Sequence, residues 1–513
     1  MLEIELKIAL DKAQLAALKT SQTVAALADG APVTRTLHNV YYDTPDGALR
    51  RAGISLRLRR EDRRWTQTLK RKTGPMQAGL STPEEDECAV RGQNLALHLI
   101  QDDDLREEVI GLARDGLRPV VITHFRRWRR NLRTGTGAFM ELALDEGEVS
   151  AGEHKLPILE AELELKSGSP GDLYAIAERI FTIAPLRFAT TSKSERIARL
   201  IECPDGPALR KARPVTLQVK MTAEQAAHTI LSEGLAHASP NLALLLESED
   251  IGGPHQLRVA LRRMRSAFSA FRSILGRSTL SDLAATAQWI GAEAGRLRDL
   301  DVLAEEIVRP FADATPEETG FTVLSEAVAE RRLAIRKDVR TALSRPEVTA
   351  FGLQLGRYLA ARGWLDPADH GQTVRLAQPV GRVAAKVLTK RWKAVAAYGD
   401  RIETLSIDER HEMRKELKKL RYLVDAFKSL YPEDRVAAFM RAVKRLQTAF
   451  GALNDAAMAE ALLMAPDAPG AGDPAAQRAA GLMIGQLMAR SDHLWPQAQT
   501  DWRDLAALGP FWR

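Results

Sequence analysis

Two pairs of glutamates define the chemistry open to this chain. Glu3 and Glu5 alternate in Glu3-Ile4-Glu5-Leu6-Lys7, and Glu162 and Glu164 repeat the pattern in Glu162-Leu163-Glu164-Leu165-Lys166. Carboxylates are hard oxygen donors of the kind Mg2+ prefers. Four of them close together are costly unless a cation sits among them. A second set is basic: Arg57, Arg59, Lys70, Lys72, Arg127, Arg129 and Lys193. Such cations suit a multiply charged phosphate. Phosphoryl transfer depends mostly on positioning and charge stabilisation, so a cationic wall with a bridging metal is a sufficient toolkit.

Elements that alternate must carry these residues. Glu3 to Lys7, Ser55 to Arg59, Thr66 to Lys70 and Glu160 to Lys166 all read in period two, the mark of strands. Thr44-Pro45-Asp46-Gly47, Thr73-Gly74-Pro75 and Thr134-Gly135-Thr136-Gly137 punctuate them as turns. Helical stretches interrupt near Asp11 to Ala28 and Gly171 to Ile183. Each strand sorts its charges by sign: Glu85 with Glu87, Glu160 with Glu162 and Glu164, Arg57 with Arg59, Arg127 with Arg129. Two arrangements fit. One is a sheet with a buried face and a solvated face. The other is a closed barrel whose acids face its bases across a wet lumen.

The whole chain sets limits. Its 513 residues point to two to four domains. Charged residues are 27% of the total but the net charge is only +6, so any anion-binding surface must come from local clustering. Cys88 and Cys203 exclude a disulfide framework and fit a reducing compartment. With no signal-peptide pattern and no long uncharged apolar run, a cytoplasmic protein without a membrane span is expected.

After Pro204, Gly206, Pro207 and Pro214, which mark 203–218 as a linker, the period changes to that of helices. Apolar residues recur at three- and four-residue spacing in His228 to Leu246, Leu257 to Leu275, Leu280 to Ile307, Val323 to Leu343, Val374 to Ala397, Met413 to Leu430 and Ala437 to Leu463. One offset of 156 residues carries His255 to His411 and Asp299 to Asp455, so two copies of one helical unit are present. The copies centre on 255–301 and 411–457. In the first, His255, Arg258, Arg262 and Arg265 fall on one helical stripe about 15 Å long. His411, Arg414, Lys418 and Arg421 form its twin. A single basic stripe reads most simply as a solvated face. Its duplication favours an anion, which guanidinium forks bind through paired phosphate oxygens. Aromatics that would stack on bases are poorly interleaved, which favours an inorganic polyanion over nucleic acid. His255 and His411 lack the carboxylate or Cys company of a metal site, and read as phosphate donors or helix-start residues.

The first half resembles the CYTH family, the triphosphate tunnel metalloenzymes. The resemblance rests on Glu3-x-Glu5-x-Lys7, Val40-Tyr41-Tyr42-Asp43-Thr44-Pro45, Leu56-Arg57-Leu58-Arg59, Leu69-Lys70, the strands Glu141 to Glu148 and Glu160 to Leu165, and Thr191-Ser192-Lys193-Ser194-Glu195-Arg196. It implies an eight-stranded antiparallel tunnel over 1–202 that hydrolyses triphosphate with Mg2+ or Mn2+. It implies metal ligands at Glu3, Glu5, Glu162 and Glu164. Phosphate contacts would come from Arg57, Arg59, Lys70, Arg127, Arg129 and Lys193, and Lys7 and Glu85 would complete a catalytic wall with Glu3, Glu5 and Lys70. One departure is Pro83, which stands where relatives often carry an arginine.

The helical half, 219–505, resembles the CHAD family through His255 to Arg265, Leu297-Arg298-Asp299-Leu300-Asp301, and the copies at His411 to Arg421 and Leu453-Asn454-Asp455. That implies two related helical bundles binding inorganic polyphosphate through the two ladders and Arg298. Asp301 has no acidic counterpart, since Ala457 takes its place, so the halves are expected to be unequal. The expected function is hydrolysis of inorganic triphosphate to pyrophosphate and phosphate, beside a polyphosphate-binding domain. The alternatives are a non-catalytic polyphosphate or granule-targeting scaffold, and an organic-triphosphate hydrolase or class IV adenylate cyclase-like enzyme.

Overall fold

The computed structural model describes residues 3–74, 79–181, 187–189, 191–202, 209–276 and 278–512. Pro75, Cys203, Pro204, Gly206 and Pro207, and with them the first part of the expected linker, lie outside the described residues. Two compact units form. One gathers Met1–Arg210, Ser239–Glu249 and Ser344–Gly363, and the other Lys211–Ala238, Asp250–Leu343 and Trp364–Arg513.

The first unit is built on strands β1 Ile4–Ala9, β2 Val33–Asp43, β3 Ile54–Glu61, β4 Arg64–Arg71, β5 Leu80–Ser81, β6 Glu84–Val90, β7 Arg118–Arg133, β8 Phe139–Ala151, β9 His154–Ser167 and β10 Arg187–Phe188. Their order is β10-β1-β9-β8-β7-β2-β3-β4-β6, with β5 on β1. β5 and β6 are consecutive pieces of one stretch. Its first piece pairs with β1 and its second with β4, so it joins the two ends of the sheet. The result is a closed, antiparallel, eight-stranded tunnel, with β10 as a short addition to β1. The closed lumen, not the open solvated sheet, is the arrangement found.

Alternation sends the apolar residues outward. Leu6, Ile8, Leu142 and Leu163 are fully buried in one cluster with Leu15, Leu18, Leu173 and Ile176 from the covering helices. Ser21 breaks the first predicted helix into Lys12–Lys19 and Gln22–Leu27 by capping the second piece. Besides the one-turn Ala48–Arg51, two longer helices in this half escaped the period-two reading. Asp103–Leu112 packs Leu105 and Val109 over Leu56 and Leu69. Lys193–Glu202 buries Ile197 among Leu37, Tyr41, Val121 and Phe125. A third, Pro346–Ala360, comes from the helical half yet covers this unit: Leu353 joins the outer cluster and Arg357 Nη1 donates to Glu178 Oε2 at 2.7 Å. Gly356 allows this approach, because a Cβ there would lie 2.5 Å from the Tyr174 ring.

In the helical half, four helices and their copies follow the 156-residue offset. Ala223–Glu247 is repeated as Val380–Gly399, Gly252–Phe271 as Ile407–Phe427, Ser278–Val302 as Glu433–Leu463, and Gly320–Leu343 as Pro474–Leu508. The last helix was not read from the periodicity. The copies meet reciprocally: Ala223 N donates to Gln378 O at 2.7 Å, and Val380 N to Met221 O at 3.0 Å. Such exchange of equivalent contacts is the pattern of a two-fold axis. No helix among the described residues is long and apolar enough to cross a membrane.

Candidate active site and a duplicated basic face

A cavity of about 1280 Å³ runs through the tunnel. The twelve residues to which the CYTH resemblance gives roles all line it: Glu3, Glu5, Lys7, Arg57, Arg59, Lys70, Glu85, Arg127, Arg129, Glu162, Glu164 and Lys193, with Lys72 beside them. Strand register sets their neighbours. Glu5 on β1 stands opposite Glu164 on β9, and Glu164 opposite Glu141 on β8. Like charges directly opposite one another repel. Burial pushes the Glu164 carboxyl up, and the charges of Glu3 and Glu141 add to the rise against the opposing Lys166. This row of hard oxygen donors fits a divalent cation.

Deeper in the tunnel the acids are already matched. Asp145, Glu160 and Glu162 bring oxygens within 4.8 Å of one another, and all three converge on Lys193. Lys193 Nζ lies 2.8 Å from Asp145 and 2.9 Å from Glu162. Arg127 donates two bonds of 2.7 Å to Asp145 and another to Glu162. Lys7 Nζ donates to Glu162 at 2.6 Å and pairs with Glu5 at 2.9 Å. Burial pushes the Glu162 carboxyl up, but Lys193, Lys7 and Arg127 together hold it well below the usual range. Of the expected metal set, Glu162 is held by three cations at once, whereas Glu3, Glu5 and Glu164 each pair with a single lysine, Lys70, Lys7 and Lys166, and stand in a row with Glu141. Lys70 pairs with Glu3 and, at 3.4 Å, with Glu85. Arg129 donates to Glu61 at 3.3 Å.

Arg57 and Arg59 differ from these. Among the described residues neither has an ion-pair partner, and the buried Arg57 Nε meets no acceptor. Burial and the neighbouring charges of Arg57 and Arg127 pull Arg59 down to about 10. Burial pushes the Tyr41 phenol up, yet Arg57, Lys193 and Arg59 bring it below its ordinary value. A buried group of cations in this state is arranged for an anion. The charge-based reading passed over Glu141, Asp145, Asn39 and Tyr41. The alternation Glu141-x-Ala143-x-Asp145 was a signal for the first two. Asn39 and Tyr41 carry no charge to sort.

In the helical unit the two ladders face each other. Arg258, Arg262, Arg414 and Lys418 act on one another strongly enough that burial and this mutual repulsion bring Lys418 down to about 7. Arg262 and Arg414 are lowered in the same way. Arg421 lies near Lys418 and over the Tyr422 ring. Burial, then Arg298, Arg258 and Arg262, lowers His255. Arg258 donates to Asp299 at 2.5 Å, and Arg298 to Glu306 at 2.5 Å. Arg265 turns to Gln288 instead, at 2.7 Å. His411, at the head of the second ladder, is half-buried on Ile407–Phe427. Asp301 is buried, pushed up to about 6, with Arg336 at 3.6 Å and Arg332 at 3.7 Å.

A tunnel with this lining, followed by a duplicated helical unit, defines a CYTH domain joined to a CHAD domain. The chain belongs to both families: residues 1–198 match the CYTH domain and residues 229–464 the CHAD domain. Among curated proteins it is similar to the inorganic triphosphatase of Haemophilus influenzae, 34% identical over 169 residues. That match covers 31% of this chain and 44% of the relative, so the chain spans less than half of it. Among solved structures it is similar to the CHAD domain of the plant Ricinus communis, at 25% identity and a TM-score of 0.51, over 59% of this chain and 98% of the other. A putative adenylyl cyclase from Hippeastrum with a dominant triphosphatase activity matches at 23% identity and a TM-score of 0.28, over 39% of this chain and 95% of its own.

Proposed function

We propose that the tunnel hydrolyses inorganic triphosphate to pyrophosphate and phosphate, and that the helical unit binds inorganic polyphosphate. One observation carries the first part. A row of carboxylates set opposite one another on neighbouring strands, and two guanidiniums without an ion-pair partner among the described residues, line the same cavity. Glu3, Glu5, Glu164 and Glu141 would hold Mg2+ or Mn2+. When bound, the metal supplies charge neutralisation on phosphate oxygens and lowers the pKa of attacking water. Arg57 and Arg59 bind and orient the phosphates. Arg127, Lys193 and Lys7 are held in place by Asp145, Glu160 and Glu162, whose charges balance theirs, and so frame the site. The likeness to an inorganic triphosphatase supports the choice of substrate. For the helical unit, the support is the set of four mutually repelling cations shared by both ladders.

Phosphate release from triphosphate, ATP, thiamine triphosphate and long polyphosphate, with and without Mg2+, tests the tunnel. Triphosphate is expected to be hydrolysed fastest, and only with metal. Activity unchanged in both Glu5→Ala and Glu164→Ala would refute the site. Polyphosphate binding without any hydrolysis would support a scaffold instead, and cyclic AMP from ATP a cyclase.

A further inference from the structure

We propose that Asn39 is a positioning residue whose neutrality matters: it fixes Arg59 while leaving that guanidinium's charge available to a substrate phosphate. The proposal rests on reading the tunnel as a triphosphatase site. Asn39 lies on β2, between Arg59 on β3 and Thr123 on β7, and is fully buried. Its Oδ1 accepts from Arg59 Nε at 2.9 Å, and its Nδ2 donates to Thr123 Oγ1 at 2.7 Å. Arginine offers only donors, so the amide can face Arg59 only with its oxygen.

The contrast with the neighbouring cations gives this bond its meaning. Arg127 is neutralised by Asp145 and Glu162. Lys193 is neutralised by Asp145, Glu160 and Glu162. Arg57 and Arg59 alternate on one strand, face the same lumen and repel each other, with Arg127 adding to the repulsion. Unheld, Arg59 would swing away from them. A carboxylate at position 39 would hold it with a stronger, charge-assisted bond. The same carboxylate would also cancel the charge that a phosphate needs. An amide supplies the acceptor without the cancellation. Thr123, fully buried on the far side, anchors the amide through its nitrogen.

The test compares two substitutions at this position in the full-length protein, with Mg2+ and inorganic triphosphate. Asn39→Asp keeps the acceptor and adds a charge, and Asn39→Ala removes the acceptor. Asn39→Asp is expected to raise KM roughly ten- to hundredfold, more than Asn39→Ala does, while melting no lower than Asn39→Ala. A merely structural asparagine gives the reverse ranking, with activity following melting temperature. That ranking, or an unchanged KM in Asn39→Asp, overturns the proposal. If Asn39→Asp does not fold, Thr123→Val decides. It removes the anchor on the amide nitrogen and is expected to raise KM at nearly unchanged kcat, whereas an unchanged KM overturns the role. Hydrolysis by the unaltered protein with no effect of these variants removes only the role of Asn39. No hydrolysis by the unaltered protein removes the triphosphatase reading and this proposal with it.

Discussion

Phe271 and Phe427 are equivalent residues of the two helical copies, and their rings lie 6.0 Å apart at 58°. Both are fully buried. A residue that touches its own copy sits on or beside the axis relating the copies. The contact therefore ties the two halves together at the ends of the helices that carry the basic ladders.

Phe271→Ala and Phe427→Ala should each destabilise the helical unit by about 3–5 kcal/mol, the usual cost of emptying a buried aromatic site. The double variant should lose less than the sum, because each single change already breaks the shared contact. Chemical denaturation of the three variants measures this. Strict additivity would mean that the rings pack independently.

Polyphosphate binding should take up protons near neutral pH. Lys418 faces Arg414 and Arg421 on its own helix, Arg258 and Arg262 on Gly252–Phe271, and Asp455 on Glu433–Leu463. At about 7, its amine is partly neutral in the free protein at pH 7.5. A bound polyanion raises that value, so the amine gains a proton and affinity strengthens as pH falls from 8.5 toward 7. Calorimetric titrations in two buffers of different ionisation heat would count the proton. Lys418→Arg should bind polyphosphate with markedly less uptake, His255 being the other lowered base on this face.

The tunnel should lose stability in acid. Burial pushes the Asp145 carboxyl up, but Arg127 and Lys193 bring it below its ordinary value, and Glu162 is held lower still relative to its own. Groups depressed in the folded state contribute stability above their unfolded values, and lose it as pH falls through the folded ones. Melting temperature should thus hold down to about pH 4.5 and drop below it. Asp145→Asn should cost about 3–5 kcal/mol at neutral pH, since it strips a partner from two buried cations. An acid-insensitive melting curve would contradict the ion-pair account.

Cutting the chain at the linker should weaken the tunnel. Residues 1–210 without Pro346–Ala360 expose the outer cluster that Leu353 covers. In the full chain, Leu353→Ala should cost about 2–4 kcal/mol, and Gly356→Ala about 1–3 through its clash with Tyr174. Thermal melts of the truncated and substituted proteins would show whether that helix supports the tunnel.

Charge sign sorted strand by strand allowed a closed lumen but fitted a solvated sheet too, and the ordered motifs resembling the CYTH family decided for the tunnel. The duplicated ladders were legible because one offset repeats every basic position. Pro346–Ala360 was not. Its apolar residues Phe351, Leu353 and Leu355 state that something is covered, but its partner Tyr174 lies far back in the chain, and local periodicity carries no address. Asn39 was missed for another reason. Its part in the site comes from the strand register that sets it between Arg59 and Thr123, and an uncharged amide gives no sign of that in sequence.

The ring closure also has a cost in time. Of the ten tunnel strands β1 is made first, yet its long partner β9 begins at His154. At about 5–20 residues per second, β1 waits on the order of ten to thirty seconds for that partner. Through most of that interval the short β5 is its one available partner among the described strands. The earliest-made stave of the tunnel is thus among the last to gain its full set of neighbours.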